Sequence, residues 1–177
     1  MLSLFRIICA FLIFLLSSFS PTIAGTEKPE VYEEAGNIFL KHDSNITKLT
    51  DINKDSEPVL SPNGRWVVFN RKVKECSEED NIWVCPSHQL WIVDLETQST
   101  RMLLEPQNSP EPENQIDKFH EKTFSPDSNI LYFSTPTYAT ASAIHSVRTD
   151  GTNLRFITAG FDFHIVQKPL GLQTKKY

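Results

Sequence analysis

Short runs of apolar and β-branched residues alternate with polar, turn-forming segments over residues 37–158. Runs of this length, bounded by Asn, Asp, Gly and Pro, are typical of β-strands. The pattern therefore predicts an all-β fold for this part of the chain.

One pattern of turn and strand occurs twice without gaps. The segment 61–69, SPNGRWVVF, aligns with the segment 125–133, SPDSNILYF. Proline pre-sets φ for a turn, and the Asn or Asp that follows tolerates tight backbone geometry. Each copy therefore predicts a turn followed by a long strand. A short extended piece precedes each turn, at 57–60 and at 122–124.

A second pattern is a strand, a polar turn and another strand, as in a β-hairpin. It occupies 90–104 and, shifted by 54 positions, 144–158. A third copy lies earlier, at 37–50. The two patterns together predict units of four antiparallel strands.

Repeated four-stranded units are typical of β-propeller blades. We expect a linker at 25–36, a half blade at 37–50, full blades at 57–104 and 122–158, the start of another at 161–167, and a tail at 168–177. The spacing of 54 exceeds the length of about 40–45 residues that a lean blade needs. The excess lies in 70–89 and in 105–121, a Pro- and Glu-rich stretch that predicts an exposed loop.

The Ser-Pro segments and the following LWIVDL at 90–95 resemble the WD40-like PD40 repeats of TolB-type β-propellers. The resemblance covers about 37–158. It implies an all-β, partial TolB-like propeller of four-stranded antiparallel blades. TolB is a periplasmic protein of the Tol–Pal envelope system and carries a further N-terminal α/β domain. Residues 25–36 are too few for such a domain, so the resemblance concerns the propeller part and assigns no role in Tol–Pal.

The repeats amount to fewer than three blades, whereas closed propellers have about 4–8. An incomplete set of blades leaves unpaired strand edges, which favour association. Three interpretations stay open: the chain closes a ring by oligomerising, it pairs its edges with a partner, or it is a truncated form of a longer protein.

The N-terminal segment predicts export. A positively charged start ending at Arg6 precedes the unbroken apolar run 7–16, and small residues lead to Ala24. This is the layout of a cleaved secretory signal at 1–24, and the run is short for a transmembrane helix. We therefore expect a periplasmic or secreted protein without a stable membrane anchor. Cys9 lies too early for a lipid attachment site.

Two cysteines, Cys76 and Cys85, remain after cleavage. An even number of cysteines in an oxidising compartment favours a disulfide, here one that closes a single surface loop. Trp83 lies between them and is the aromatic residue that we would choose as a partner contact. Two thiols without a second pair are a weak signal for metal.

The composition and the remaining polar residues indicate no chemistry. The net charge of −5, without basic clusters in the sequence, argues against nucleic acid and anionic membrane as partners. No histidine has metal-ligand spacing, and Asp127 and Asp150 fit turn roles. His145 takes the place of Trp91 in the repeat and so predicts a packing position. Neither Ser61 nor Ser125 lies in a nucleophile elbow. We expect no catalytic residue, no metal and no cofactor.

The sequence thus predicts an exported, non-catalytic TolB-like propeller protein of the cell envelope that serves protein–protein interaction. Its expected partner is an envelope protein or a second copy of the chain, and the candidate contact surfaces are the loops 76–85 and 105–121. Two alternatives remain: the propeller fragment of a hydrolase or peptidase-type protein, and a truncated remnant without independent function.

Overall fold

The computed structural model of the protein describes residues 27–73, 88–107, 109, 111, 113–116, 118–137, 142–160 and 162–166. These residues form eleven β-strands. The strands are β1 (Glu30–Glu34), β2 (Asn37–His42), β3 (Asn45–Lys48), β4 (Asp55–Leu60), β5 (Trp66–Lys72), β6 (His88–Asp94), β7 (Ser99–Leu104), β8 (His120–Phe124), β9 (Ile130–Pro136), β10 (Ser142–Arg148) and β11 (Arg155–Ala159).

The strands form three antiparallel sheets, each built from strands that follow one another in the chain. The first sheet has the order β1-β2-β3, the second β4-β5-β6-β7, and the third β8-β9-β10-β11. The second and third sheets confirm the expected four-stranded blades, because each contains a short strand, a Ser-Pro turn, a long strand and a hairpin. The all-β partial propeller expected from the sequence is therefore confirmed.

The structure differs from the sequence-based division at both ends of the propeller. Residues 25–36, expected as a linker, contain β1, which pairs with β2 and gives the first sheet three strands. The stacked rings of Tyr32 and Phe39, with centroids 5.4 Å apart, join the two strands. Within the expected strand-like piece 161–167, the described residues 162–166 form no strand.

The second sheet is buried on both faces. Successive side chains of a strand point to opposite faces. In β5, Val67 and Phe69 join a core cluster with Ile38 of the first sheet. Val68 instead joins a cluster with Phe133 of the third sheet. The three sheets therefore stack face to face, as propeller blades do.

The connection between β7 and β8 is exposed or half-buried over most of its described residues, as expected from its composition, but part of it belongs to the core. Its residues Ile116 and Phe119 are fully buried and belong to the core cluster between the second and third sheets. The ring of Phe119 meets the ring of Phe133 edge to face, with centroids 5.3 Å apart. These two core residues were not predicted, because prolines and glutamates dominate the composition of this stretch.

A polar contact also joins the second and third sheets. The Lys122 ammonium lies 3.1 Å from the Glu57 carboxylate and donates to the Phe119 carbonyl at 2.8 Å. The Asn70 amide donates to both of these acceptors. The Lys122 side chain is only 2% exposed, whereas that of Glu57 is 53% exposed. Burial lowers the pKa of Lys122, and the Glu57 charge opposes that shift.

The internal repeat extends to backbone irregularities. The pairing of the first two strands shifts register at the same place in both sheets, and so does the pairing of the last two strands. The shifts fall at Ser56/Val59 and His120/Thr123, and at Leu90/Trp91 and Ile144/His145. A β-bulge is a local departure from regular strand pairing. Its recurrence at equivalent positions therefore indicates that the two sheets are copies of one unit.

Several expected features lie outside the described residues: the signal 1–24, the cysteines Cys76 and Cys85, Trp83, and the tail 168–177. Within the described part of the chain, no helix is long and apolar enough to cross a membrane.

Candidate functional site

A groove of about 300 Å³ lies where the β7–β8 connection meets the third sheet. One side comes from the connection and the other from β10, β11 and the residue before β11. The residues that line it are Gln107, Glu113, Asn114, Ile116, His145, Leu154 and Phe156.

The connection holds a fixed shape beside this groove. Gln107 and Ile116 form an isolated antiparallel bridge, with backbone hydrogen bonds of 2.6 and 2.9 Å. The buried side chain of Gln115 accepts a hydrogen bond from the Ser109 backbone at 2.8 Å. Glu111 closes the turn by accepting the backbone N–H of Gln115 at 3.0 Å. The Pro- and Glu-rich stretch is therefore a folded loop that can form a preorganised wall.

His145 lies at the base of the opposite wall. Its ring stacks on Phe133, with centroids 5.6 Å apart, and meets the Phe156 ring edge-on at 5.7 Å. Its Nε2 atom lies 3.2 Å from the Glu113 carbonyl oxygen, so the neutral ring donates there when Nε2 carries the proton. Burial lowers the pKa of His145, with backbone hydrogen bonds opposing the shift. The expected packing role of His145 is confirmed, and it gives the groove an uncharged floor.

Two apolar side chains that line the groove are exposed. Phe156 is 39% exposed and Leu154 is 36% exposed, whereas most large apolar side chains of the second and third sheets are buried. The polar lining residues of the β7–β8 connection form what we call the rim of the groove: Gln107, Glu113 and Asn114. Apolar walls with a few polar groups at the rim are typical of binding sites.

Glu113 gives the groove a negative charge. It is the one lining residue that is charged at neutral pH, since the pKa of His145 is lowered. Among the described residues, none forms an ion pair with the Glu113 carboxylate. The groove therefore favours a cationic group over an anionic one.

The strand beside the groove is an edge. β11 pairs with β10 on one side and is the last strand of its sheet. All five of its residues are exposed. An exposed edge strand presents unpaired N–H and C=O groups to solvent and can pair with another strand.

The polar residues considered from the sequence have structural partners. Asp127 accepts the Ser125 hydroxyl at 2.6 Å, and Asp150 accepts the Thr152 hydroxyl, also at 2.6 Å. Asp94 accepts the Arg65 guanidinium at 2.8 Å. In each case this hydrogen-bond partner is the main cause of a lowered aspartate pKa, from the Ser125 hydroxyl, the Thr152 hydroxyl and the Arg65 side chain respectively.

Several charged side chains surround His88, which the sequence did not indicate. The pKa of His88 is lowered first by burial and then by the nearby Lys118, Lys72 and His120, whereas the Glu57 charge opposes the shift. These residues come from separate segments of the chain. Within the described part of the chain, no three His, Cys, Asp or Glu side chains come together as a metal ion would require.

The groove was predicted only in part. Its residues from the β7–β8 connection lie in the stretch 105–121, which the sequence indicates as a candidate partner surface. The last hairpin was assigned only as strand and turn. One local signal was present: Leu154, Phe156 and Ile157 put three large apolar residues within four positions of an expected outer strand. That strand's position at a sheet edge became clear only from the strand order.

No known protein family matches the sequence, and no curated protein does.

Solved structures with a similar fold include β-propeller proteins of different activities. TolB from Acinetobacter baumannii is 13% identical with a TM-score of 0.49, and the match covers 76% of this chain and 31% of that one. The β-propeller domain of the Trilobed protease from Pyrococcus furiosus is 19% identical with a TM-score of 0.45, covering 70% and 33%. The acylaminoacyl peptidase of Pyrococcus horikoshii is 18% identical with a TM-score of 0.44, covering 70% and 20%.

The chain spans about a third or less of the length of each of these proteins. Likeness at this level of identity concerns the fold alone. The stacked four-stranded sheets and the paired Ser-Pro turns are those of a partial β-propeller.

Proposed function

We propose that this protein is an exported, non-catalytic TolB-like propeller of the cell envelope, and that it binds another protein through the third sheet. The observation that carries the proposal is the groove of Phe156, Leu154 and His145 beside the exposed edge strand β11. Rigid sheets that present a loop and an open edge are suited to recognition.

A non-catalytic role is supported by what the polar side chains do. Ser61 and Ser125 donate to Asn63 and Asp127 inside their turns, which commits these hydroxyls to backbone geometry. His145 is buried between aromatic rings. A nucleophile or general base needs a partner and access to substrate, and these groups are engaged in packing or turns.

Export is supported by the sequence of the first 24 residues, with its charged start, apolar run and small residues before Gly25. We infer a periplasmic location from the same segment. It can be tested by expressing the full 177-residue sequence in a Gram-negative host and measuring the intact mass in the periplasmic fraction.

The expected mass is that of a chain that begins at Gly25 and lacks two hydrogens because Cys76 and Cys85 form a disulfide. An uncleaved chain that stays in the cytoplasm would contradict the export proposal. A cleaved chain with two free thiols would contradict only the disulfide.

The interaction role can be tested with photocrosslinking amino acids placed one at a time at the exposed positions Ile52, Met102 and Leu154. We expect a discrete protein adduct from Leu154, which lies beside β11 of the third sheet, when the purified protein is mixed with envelope proteins, and competition by unlabelled protein. Ile52 and Met102 lie outside the third sheet and serve as control positions. Absence of a competed adduct from Leu154 would refute binding through the third sheet. Peptide or ester hydrolysis by the purified protein would refute the non-catalytic part.

A further inference from the structure

We propose that the groove and β11 together bind an extended peptide segment, which adds to the third sheet as a fifth strand. The segment places an apolar side chain in the groove and a Lys or Arg side chain beside Glu113. This inference rests on the proposed function, because it specifies the partner chemistry of the same surface.

The backbone of β11 offers an edge to a further strand. β11 pairs antiparallel with β10, and all five of its residues are exposed. Among the described strands none pairs with its other edge, so a fifth strand would bond to the N–H and C=O groups there. Peptide segments commonly bind in this way, with backbone hydrogen bonds giving affinity and side-chain pockets giving specificity.

An apolar side chain of the added strand would lie in the groove. Residues paired across neighbouring strands share a face of the sheet, so Phe156 lies on the same face as His145, its partner in β10. A residue of an added strand opposite Phe156 would lie on that face as well. It would point toward the groove between Phe156 and Ile116, which has a volume of about 300 Å³.

The charge of the rim favours a basic side chain in the added strand. Glu113 at the rim has no ion-pair partner among the described residues, and the neutral His145 leaves this charge uncompensated. In a strand, residues two apart share a face. A segment with an apolar residue and a basic residue two positions apart would satisfy the groove and the rim at once.

The sister strand β7 provides an internal comparison. Met102 holds on β7 the place that Phe156 holds on β11, and its exposure of 42% is similar. Met102 does not line the groove. Substitutions at Met102 therefore test whether an exposed apolar residue on any outer strand is sufficient.

The probe is a seven-residue peptide, Thr-Val-Thr-Leu-Thr-Lys-Thr-amide, which carries a fluorescent label on its N-terminal amine. It is titrated with the purified protein and followed by fluorescence anisotropy. Leu and Lys, two positions apart, lie on one face when the peptide is extended. We expect saturable binding. A peptide in which Lys is replaced by Glu should bind about tenfold more weakly, since like charges oppose each other at the rim.

Three variants test the protein side. Glu113→Lys should reverse the preference between the Lys and Glu peptides, and Phe156→Ser should weaken both about tenfold or more, by removing one large apolar contact. Met102→Ser should leave binding unchanged. Each variant is first compared with the parent protein by thermal unfolding, so that a loss of folding is not taken for a loss of binding.

Strand addition has its own test. Two versions of the Lys peptide carry N-methyl groups on alternate residues, one version on each edge of the extended backbone. One version should lose binding because its methyl groups face β11, and the other should bind as the unmodified peptide does. Equal behaviour of the two versions, whether both bind or both fail, would overturn strand addition.

The peptide proposal and the proposed function can fail separately. A competed protein adduct from Leu154, together with no saturable peptide binding, would leave the interaction role of the third sheet intact and overturn this inference. Unchanged charge preference in Glu113→Lys would also overturn it, even if the peptide binds.

Discussion

Ser61 and Ser125 hold their turns in the same way. Each hydroxyl donates to the side chain two residues on, at 2.7 Å to Asn63 and 2.6 Å to Asp127. Each also accepts the backbone N–H five residues on, at 2.8 and 3.0 Å. The hydroxyl is both donor and acceptor, so no apolar residue of similar size can replace it, whereas the Asx position needs only an acceptor.

This asymmetry predicts different costs for two substitutions in one turn. Ser125→Ala removes both hydrogen bonds and should lower the free energy of unfolding by about 1–3 kcal/mol. Asp127→Asn should cost much less, because Asn63 plays the same role in the sister turn. Urea unfolding of both variants measures this. Equal destabilisation by the two would mean that the carboxylate contributes as much to the turn as the hydroxyl does.

The side chain of His145 makes the free energy of unfolding depend on pH. Burial lowers its pKa from the ordinary value of 6.5, so the folded protein holds the neutral ring. Between the folded and unfolded pKa values the unfolded chain binds more protons. The stability that this depressed pKa contributes is full above about pH 6.5 and is lost as pH falls through the folded pKa. The lowered pKa of His88 acts in the same direction.

We therefore predict that the free energy of unfolding falls as pH is lowered from 7 to 5. His145→Phe should reduce the slope of this fall, and His88→Gln should reduce it independently. Urea unfolding at several pH values measures the slopes. An unchanged slope in His145→Phe would show that this ring does not remain neutral in the folded protein.

Among the structural elements, the β7–β8 connection is the one whose packing its composition does not predict. Three prolines and several glutamates between 105 and 121 predict an exposed loop, yet Ile116 and Phe119 complete the core between the second and third sheets. A connection that fills the gap between two blades is part of the packing, so shortening it to a tight turn should unfold the contact between these sheets.

A matched pair of isoleucines tests this. Ile116 in the connection is 2% exposed and Ile157 on β11 is 50% exposed. Ile116→Ala should cost about 2–5 kcal/mol of stability, as expected for a large-to-small change in a core. Ile157→Ala should cost less than about 0.5 kcal/mol. If chemical denaturation gives similar values for both, the connection does not contribute to the core.

The predictable elements were those with local causes. The Ser-Pro turns and the hairpins at 90–104 and 144–158 are determined by residues close in sequence, and both sheets were predicted from them. β1 was missed because EVYEE at 30–34 is dominated by acids, and only its pairing with β2 makes it a strand. The groove joins Gln107 to Phe156, and proximity over such a distance in the chain is decided by how the sheets stack.

Across the molecule as a whole, Glu57 and Lys122 join the first strands of the second and third sheets, β4 and β8. The two partners differ in burial, since the Lys122 side chain is 2% exposed and the Glu57 side chain is 53% exposed. Loss of Glu57 would leave a buried cation, whereas loss of Lys122 would leave a carboxylate that water can solvate. The two ends of one ion pair therefore differ in what their removal costs.

We predict that Glu57→Gln lowers the free energy of unfolding by about 1–3 kcal/mol, whereas Lys122→Met changes it by less than about 1 kcal/mol. The Met side chain retains most of the buried stem, and the Phe119 carbonyl keeps its bond from Asn70. Thermal or urea unfolding at neutral pH separates the two variants. A larger loss from Lys122→Met would mean that the attraction exceeds the desolvation cost.

Every strand that pairs does so with its neighbour in the chain, in all three sheets. The backbone pairing of each sheet can therefore form as soon as its own segment is available, without waiting for a distant part of the polypeptide. Proteins rich in local pairing fold fast, because little loop-closure entropy is lost before contacts form. The slow step is then the docking of the second sheet on the third through Ile116, Phe119 and Phe133. We therefore expect substitutions in the turns to change the early folding phases. Substitutions at these three residues should change the last folding phase.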